Sequence, residues 1–197
     1  ALCAHASCRR LFCVVRGTSG KQRLLDDMRA RGLDAELAAA RVEVVRGDLS
    51  QAGLGLDAAT LRMLASRVSL VVHNGAVVHH SLPYEALRAS NVSSCAALLQ
   101  LCARREPPMR FCFVSSTSAL SHAAAARVSE GQREGVEGLL TAADEVGTLG
   151  GYGASKWAAE HLAATAARAH GVCSTVVRVG LVGPHPQTAD LNSRDWL

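Results

Sequence analysis

Aromatic residues are scarce in this chain, at 4% of 197 positions. That scarcity removes most of the stacking surface a single-strand nucleic-acid binder needs. A large excess of charge of one sign is also missing. The formal net charge is only +4, and its Lys and Arg residues are scattered rather than gathered into a run, so nucleic acid is not an expected partner. No apolar run approaches the roughly 20 residues of a membrane helix, so no membrane contact is expected. The opening ALCAHASCRR lacks the basic start, apolar middle and small-residue cleavage site of a secretory signal. The seven cysteines are odd in number and contain no CxxC pair. Cys13, Cys112 and Cys173 fall in apolar stretches with strand character, which predicts buried free thiols in a reducing compartment. Neither Cys nor His has ligand spacing, so no metal site is expected. A cytoplasmic protein fits these absences.

What is present is an ordinary globular composition, 49% hydrophobic and 19% charged, long enough for one domain over residues 1–197. Short β-rich runs alternate with helical stretches. Strands are predicted at Leu11–Val15, Val42–Val45, Ser69–Val72, Arg110–Val114 and Val172–Val179. Helices are predicted over 21–40 with a break near Gly32, over Asp57–Arg67, as one long helix over Pro83–Arg105, and over Tyr152–His170, where Gly171 is a suitable stop. The segment from His122 to Gly151 reads as a loop with some helix. Such alternation implies an α/β fold, a Rossmann-like doubly wound parallel sheet covered on both faces.

One element of that fold is missing from the pattern. A dinucleotide-binding sheet opens with a strand running into a glycine fingerprint, where pyrophosphate meets a helix N-terminus. Nothing before Leu11 supplies it, and ALCAHASCRR reads as the tail of the helix that would follow. The expectation is a fold truncated at its N-terminus, with a strand absent between those at Leu11 and Ser69, and able to bind a dinucleotide only poorly by itself. The early VVRGTSGK is not a P-loop. Val15 stands where that motif needs its first glycine, and Gln22 where it needs Ser or Thr.

The strongest chemical signal is Tyr152-Gly153-Ala154-Ser155-Lys156. Residues four apart share a helix face, and an ammonium within ~4–6 Å favours the phenolate, which predicts a tyrosine lowered toward neutral pH and fit for proton transfer. A hydroxyl cluster, Ser115-Ser116-Thr117-Ser118, follows the strand FCFV, at the carboxyl edge where a parallel sheet presents its ligands.

The stretches FVSSTSAL and GGYGASKWAAE together resemble the extended short-chain dehydrogenases, and among them the thioester reductase domains of nonribosomal peptide synthetases, carboxylic acid reductases and L-2-aminoadipate reductases. The run from His73 to Val92, HNGAVVHHSLPYEALRASNV, is similar to that family's HNGAxVHxxxPYxxLRxxNV stretch. Val45-Arg46-Gly47-Asp48-Leu49, Arg178-Val179-Gly180 and Asn192-Ser193-Arg194-Asp195-Trp196-Leu197 agree in order. The aminoadipate reductase branch is the nearest in flavour. Val179 departs from the proline of the family's RPG motif, and the chain stops at Leu197, where the family's C-terminal substrate portion begins.

The resemblance implies NADPH as cofactor and, as partner, an acyl thioester on the phosphopantetheine arm of a carrier domain in the same polypeptide, reduced to an aldehyde. It implies Tyr152 as proton donor, Lys156 on the nicotinamide ribose, and Ser116, or else Thr117, on the carbonyl oxygen. Arg16 follows the second strand of the parent fold, where an arginine suits a 2′-phosphate, and Lys21 and Arg23 add positive charge. Asp48 and Leu49 would border the adenine. Asn74, Gly75 and Ala76 would line the cofactor's path by backbone contact, and Asn91 would brace the long helix. Two other readings use the same scaffold: a nucleotide-sugar epimerase or fatty acyl-CoA reductase, and a non-catalytic NADP-binding module.

Overall fold

The computed structural model describes residues 2–126, 141–180 and 182. The described residues divide into two compact units, one within Ala1–Asp48 and the other within Leu49–Val182.

In the first unit, β1 (Leu11–Val15) pairs in parallel with β2 (Val42–Arg46), Leu11 opposite Val42. Two helices, α1 (Gly20–Ala30) and α2 (Ala35–Arg41), make the crossover. Asp34 caps α2 by accepting the Leu37 amide at 2.8 Å, which satisfies one of the free donors at a helix start. Leu25, Ala35, Ala38 and Val42 form the core of this unit. The N-terminal residues were expected to continue a helix. They instead form a short 3-10 turn, Leu2–Ala4, tied down by Arg41 Nη1, which donates to the Cys3 carbonyl at 2.8 Å. The two early glycines have local roles. Gly17 turns the chain at φ +81°, and a Cβ on Gly20 would stand 2.5 Å from Val15 Cγ2. Gly20 thus lets α1 pack against the strands.

In the second unit, β3 (Leu70–His73), β4 (Arg110–Ser116) and β5 (Ser174–Val179) form a parallel sheet in that order, Leu70 opposite Arg110 and Phe111 opposite Ser174. The helices α3 (Ala58–Arg67), α4 (Tyr84–Arg88), α5 (Ser94–Ala103), α6 (His122–Ala125) and α7 (Gly150–His170) connect and cover them. Phe111 and Phe113 are each 1% exposed, and they alternate with outward positions as a strand requires. Their rings stack at 6.5 Å between centroids. Gly171 closes α7 in the left-handed region at φ 63°, a conformation that a side chain would resist.

These strands and their parallel pairing match the α/β expectation. Two local expectations are corrected. The long helix over Pro83–Arg105 is interrupted by a π-helical turn, Ala89–Ser93, between α4 and α5, and such a bulge often marks a functional site. Cys173 precedes β5 and is exposed rather than buried within a strand. The segment His122–Gly151, expected as a loop with some helix, is helical at His122–Ala125 and forms a 3-10 turn at Ala143–Thr148, as expected. The Asn192–Leu197 motif lies outside the described residues.

Candidate active site

The carboxyl end of β4 and the first turns of α7 build the site. Ser116 closes β4 in extended conformation, and its Oγ accepts the Ser118 amide at 3.1 Å. That bond turns the chain sharply, so the Ser116 hydroxyl stays at the strand's end. Helix α7 packs here through glycine. A Cβ on Gly153 would lie 2.2 Å from the Ser118 carbonyl oxygen, and one on Gly151 would lie 2.2 Å from the Leu82 carbonyl oxygen. Both are distances that no real Cβ adopts, so the glycines flanking Tyr152 admit two loop backbones against the helix.

Tyr152 is 9% exposed. Burial raises its phenol above the ordinary tyrosine range, and the Ser116 hydroxyl, acting as hydrogen-bond partner, pulls it partly back. A lowered phenol was expected, with Lys156 responsible. In the structure the direction is reversed because desolvation of the phenolate outweighs the one hydroxyl that favours it. The ammonium of Lys156 instead points to β4, where Nζ donates to the Val114 carbonyl at 2.9 Å. It lies 4.9 Å from the Phe113 ring centroid and 5.9 Å from that of Tyr152. Burial pulls Lys156 down to about 8, opposed by Cys95 and Glu160. Ser116, Tyr152 and Lys156, named from sequence, are therefore brought together at one strand end. Thr117, the alternative to Ser116, is exposed. On the open side, the His80 ring meets the Tyr152 ring edge-on at 5.8 Å.

Of the expected cofactor contacts in this unit, Leu49 and Gly75 are close neighbours. A Cβ on Gly75 would meet Leu49 Cδ1 at 2.5 Å. Asn74 and Gly75 are exposed and Ala76 is partly covered, leaving their backbone open to a ligand. Arg16, Lys21 and Asp48 belong to the first unit. Arg16 and Lys21 are exposed. The Arg16 carbonyl accepts Arg23 Nη2 at 2.9 Å, and Lys21 Nζ donates to the Ala39 carbonyl at 3.3 Å. The donors left over in the second unit suit a hydroxyl-bearing ligand. An ammonium has three donors, and Lys156 uses one on Val114. Among the described residues, the buried Ser115 Oγ has no partner.

Sequence reasoning gave Asn91 only a bracing role, whereas the structure makes it a hub. It is 1% exposed. Its Oδ1 accepts the Val77 amide at 2.8 Å, and its Nδ2 donates to the Val77 carbonyl and the Ser155 hydroxyl, each at 3.0 Å. Ser155 Oγ in turn donates to the Tyr152 carbonyl at 2.7 Å. Asn91 lies in the π-helical turn and links the segment after β3 to the helix that carries Tyr152 and Lys156. Replacing it by leucine is expected to cost about 1–3 kcal/mol through the buried groups left unpaired. Chemical denaturation measures this, and an unchanged midpoint would contradict it. A second tie was missed entirely: Trp157 Nε1 donates to the Thr141 carbonyl at 2.7 Å, and Thr141 Oγ1 donates to the Ala119 carbonyl at 2.8 Å. The only sequence signal was a tryptophan directly after Lys156.

His73 is 3% exposed, with Nε2 3.3 Å from Ser94 Oγ, and burial followed by the Lys156 charge pulls it down to about 4. It packs as a neutral ring. Cys95 is fully buried, its thiol pushed up to about 12 by burial, which opposes thiolate chemistry.

Comparison with known proteins bears on the fold and the family. The chain is 39% identical over 183 residues to the L-2-aminoadipate reductase large subunit of Penicillium chrysogenum, covering 89% of this chain and 13% of that protein. It is similar to the crystal structure of the terminal R domain from the myxalamid PKS-NRPS biosynthetic pathway, with TM-score 0.75, 32% identity, and coverage of 89% of this chain and 43% of that one. It is also similar to the PhqB reductase domain from Penicillium fellutanum, with TM-score 0.71, 26% identity, and coverage of 98% and 47%. The chain thus spans about an eighth of the reductase subunit and under half of each reductase domain. The Rossmann-like fold and the resemblance read from FVSSTSAL, GGYGASKWAAE and the His73–Val92 stretch are borne out. The family model described as male sterility protein (NAD_binding_4) matches residues 2–197, and the chain belongs to that family.

Proposed function

We propose that this chain carries the catalytic groups of an NADPH-dependent reductase that converts an acyl thioester on a phosphopantetheine arm to an aldehyde. The observation that carries the reading is the convergence of the Ser116 hydroxyl, the Tyr152 phenol and the Lys156 ammonium at the end of β4. The resemblance to aminoadipate reductase and to terminal reductase domains supports the thioester as substrate class. A thiolation-reductase di-domain shares the fold at 19% identity; a carrier domain as partner and a cytoplasmic location are part of the proposal.

When bound, the nicotinamide cofactor supplies hydride to the carbonyl carbon. The chain's own residues handle the oxygen. Ser116 and Tyr152 donate hydrogen bonds to it as charge develops, the kind of contact whose loss typically slows turnover ~10²–10³-fold. Tyr152 then passes its proton to that oxygen. Its raised value keeps the phenol protonated at neutral pH, the form a proton donor needs. Lys156, with donors to spare, would hold the cofactor's ribose hydroxyls and offset the charge left on the phenolate. Asn74, Gly75 and Ala76 would line the cofactor by backbone, and Asp48 and Leu49 would border its adenine.

Arg16 and Lys21 carry the preference for NADPH through its 2′-phosphate. Arg16→Gln is expected to weaken NADPH binding about tenfold or more, as loss of a charge-assisted bond does, with NADH binding little changed. Paired titrations with the two cofactors test this, and equal losses for both would contradict it. For the reaction itself, the native full-length polypeptide bearing a carrier-loaded acyl thioester is expected to oxidise NADPH and release an aldehyde. NADPH that stays unoxidised would oppose the reading.

A further inference from the structure

Behind Lys156 lies a charged pair that this chemistry does not use. Glu160 follows Lys156 by one helical turn and is 1% exposed. Its carboxylate accepts Arg178 Nε at 2.9 Å and Nη2 at 2.7 Å, joining α7 to β5. A bidentate pair of this kind fixes orientation as well as charge. Burying it is costly, and apolar residues of similar volume often serve stability as well or better, so packing alone does not account for it.

The surroundings of the Lys156 ammonium show what the pair does. From β3 comes His73, neutral above about 4, and from α5 comes Cys95, a thiol up to about 12. From β4 come the Val114 carbonyl and the Phe113 ring. From α7 come the Tyr152 phenol and Glu160, and from β5 comes the Arg178 guanidinium. Among the described residues, Glu160 is the one carboxylate that acts on Lys156.

We infer that Glu160 is a positioning residue for Lys156: locked to β5 by Arg178, it keeps a carboxylate one turn behind the ammonium and so holds the lysine cationic at the end of β4. The inference rests on the proposed role of Lys156 toward a cofactor ribose. Burial draws Lys156 down to about 8, and Glu160 opposes that fall. A lysine so lowered is charged below about 8 and neutral above it. Removing the carboxylate lowers it further, so the proton is lost at lower pH and ligand binding fails earlier as pH rises.

The test is NADPH affinity of the native full-length polypeptide, measured by fluorescence titration between about pH 6 and about pH 9, either side of the lowered lysine value. Wild-type affinity is expected to weaken above about pH 8. Glu160→Gln is expected to bind within about threefold of wild type at the acid end, and about fivefold to tenfold more weakly between about pH 8 and about pH 9, where loss of the lysine proton comes earlier. Glu160→Asp restores most of the loss. A merely structural role would weaken binding equally at every pH, and that result, or no change, overturns the inference. Should Glu160→Gln fail to fold, Glu160→Gln combined with Arg178→Gln removes the carboxylate without leaving a buried guanidinium unpaired. It is expected to show the same earlier loss of binding as pH rises, and a curve parallel to wild type overturns the inference. Wild-type protein that binds no NADPH at any pH would overturn the proposed function and this inference together, whereas wild-type binding with parallel variant curves overturns the inference alone.

Discussion

Tyr152→Phe is expected to lower aldehyde formation by about 10²–10⁴-fold, the range for loss of a general acid, with NADPH affinity held within several-fold. The ring stays, so the packing against His80 and the place of Lys156 beneath it survive. Only the hydroxyl is lost, and with it the proton and one hydrogen bond to the developing oxyanion. Burial already holds the phenol above its ordinary value, so the wild-type site is stocked with the acid form across neutral pH. Single-turnover assays beside cofactor titrations separate the two quantities. Near-normal turnover in the variant would remove Tyr152 from the mechanism, and a parallel loss of cofactor binding would assign it a structural role.

Gly153→Ala is expected to have the next largest effect, on a residue that touches no substrate. The added methyl would lie 2.2 Å from the Ser118 carbonyl oxygen and 2.9 Å from Leu149 Cβ. The first is backbone, in the turn held by the Ser116 hydroxyl, and cannot swing aside as a flexible side chain would. Relief requires α7 to draw away from the end of β4. Overpacking of this kind costs about 1–3 kcal/mol. Displacement of reacting groups by about 1 Å can slow a reaction ~10²-fold. The variant is therefore expected to melt several degrees lower and to lose about 10²-fold in kcat, because Tyr152 and Ser116 no longer converge. Thermal melting and turnover measured on the same preparation test this, and wild-type values for both would refute the close approach.

Much of this site was legible from the chain. Tyr152 and Lys156 announce themselves by helical spacing, and Ser116 by its place after an apolar strand. Those signals are local, and they place each group before any packing is known. What could not be read depends on contacts distant in sequence. Asn91 serves Val77 and Ser155, the latter 64 positions away, and no spacing rule exposes such a link. The pairing of Glu160 with Arg178 spans a helix and a strand. The direction of the Tyr152 shift was misjudged because proximity to a cation is visible in the sequence, whereas desolvation appears only when the ring is enclosed. The π-helical turn escaped notice for a similar reason: ASNVS continues the helical pattern on both sides, and the extra residue shows only where Asn91 turns inward. The fold itself was carried by strand–helix alternation, which needs only composition and period.

The central claim, that the groups at the end of β4 serve hydride reduction of a thioester, is tested most directly by isotope transfer. NADPH deuterated at the nicotinamide C4 position that delivers hydride, supplied to the native full-length polypeptide carrying an acyl-phosphopantetheine thioester, is predicted to yield an aldehyde with deuterium on its carbonyl carbon, and Tyr152→Phe is predicted to yield almost none. Aldehyde free of deuterium from the wild type, or acid released in place of aldehyde, would contradict the account.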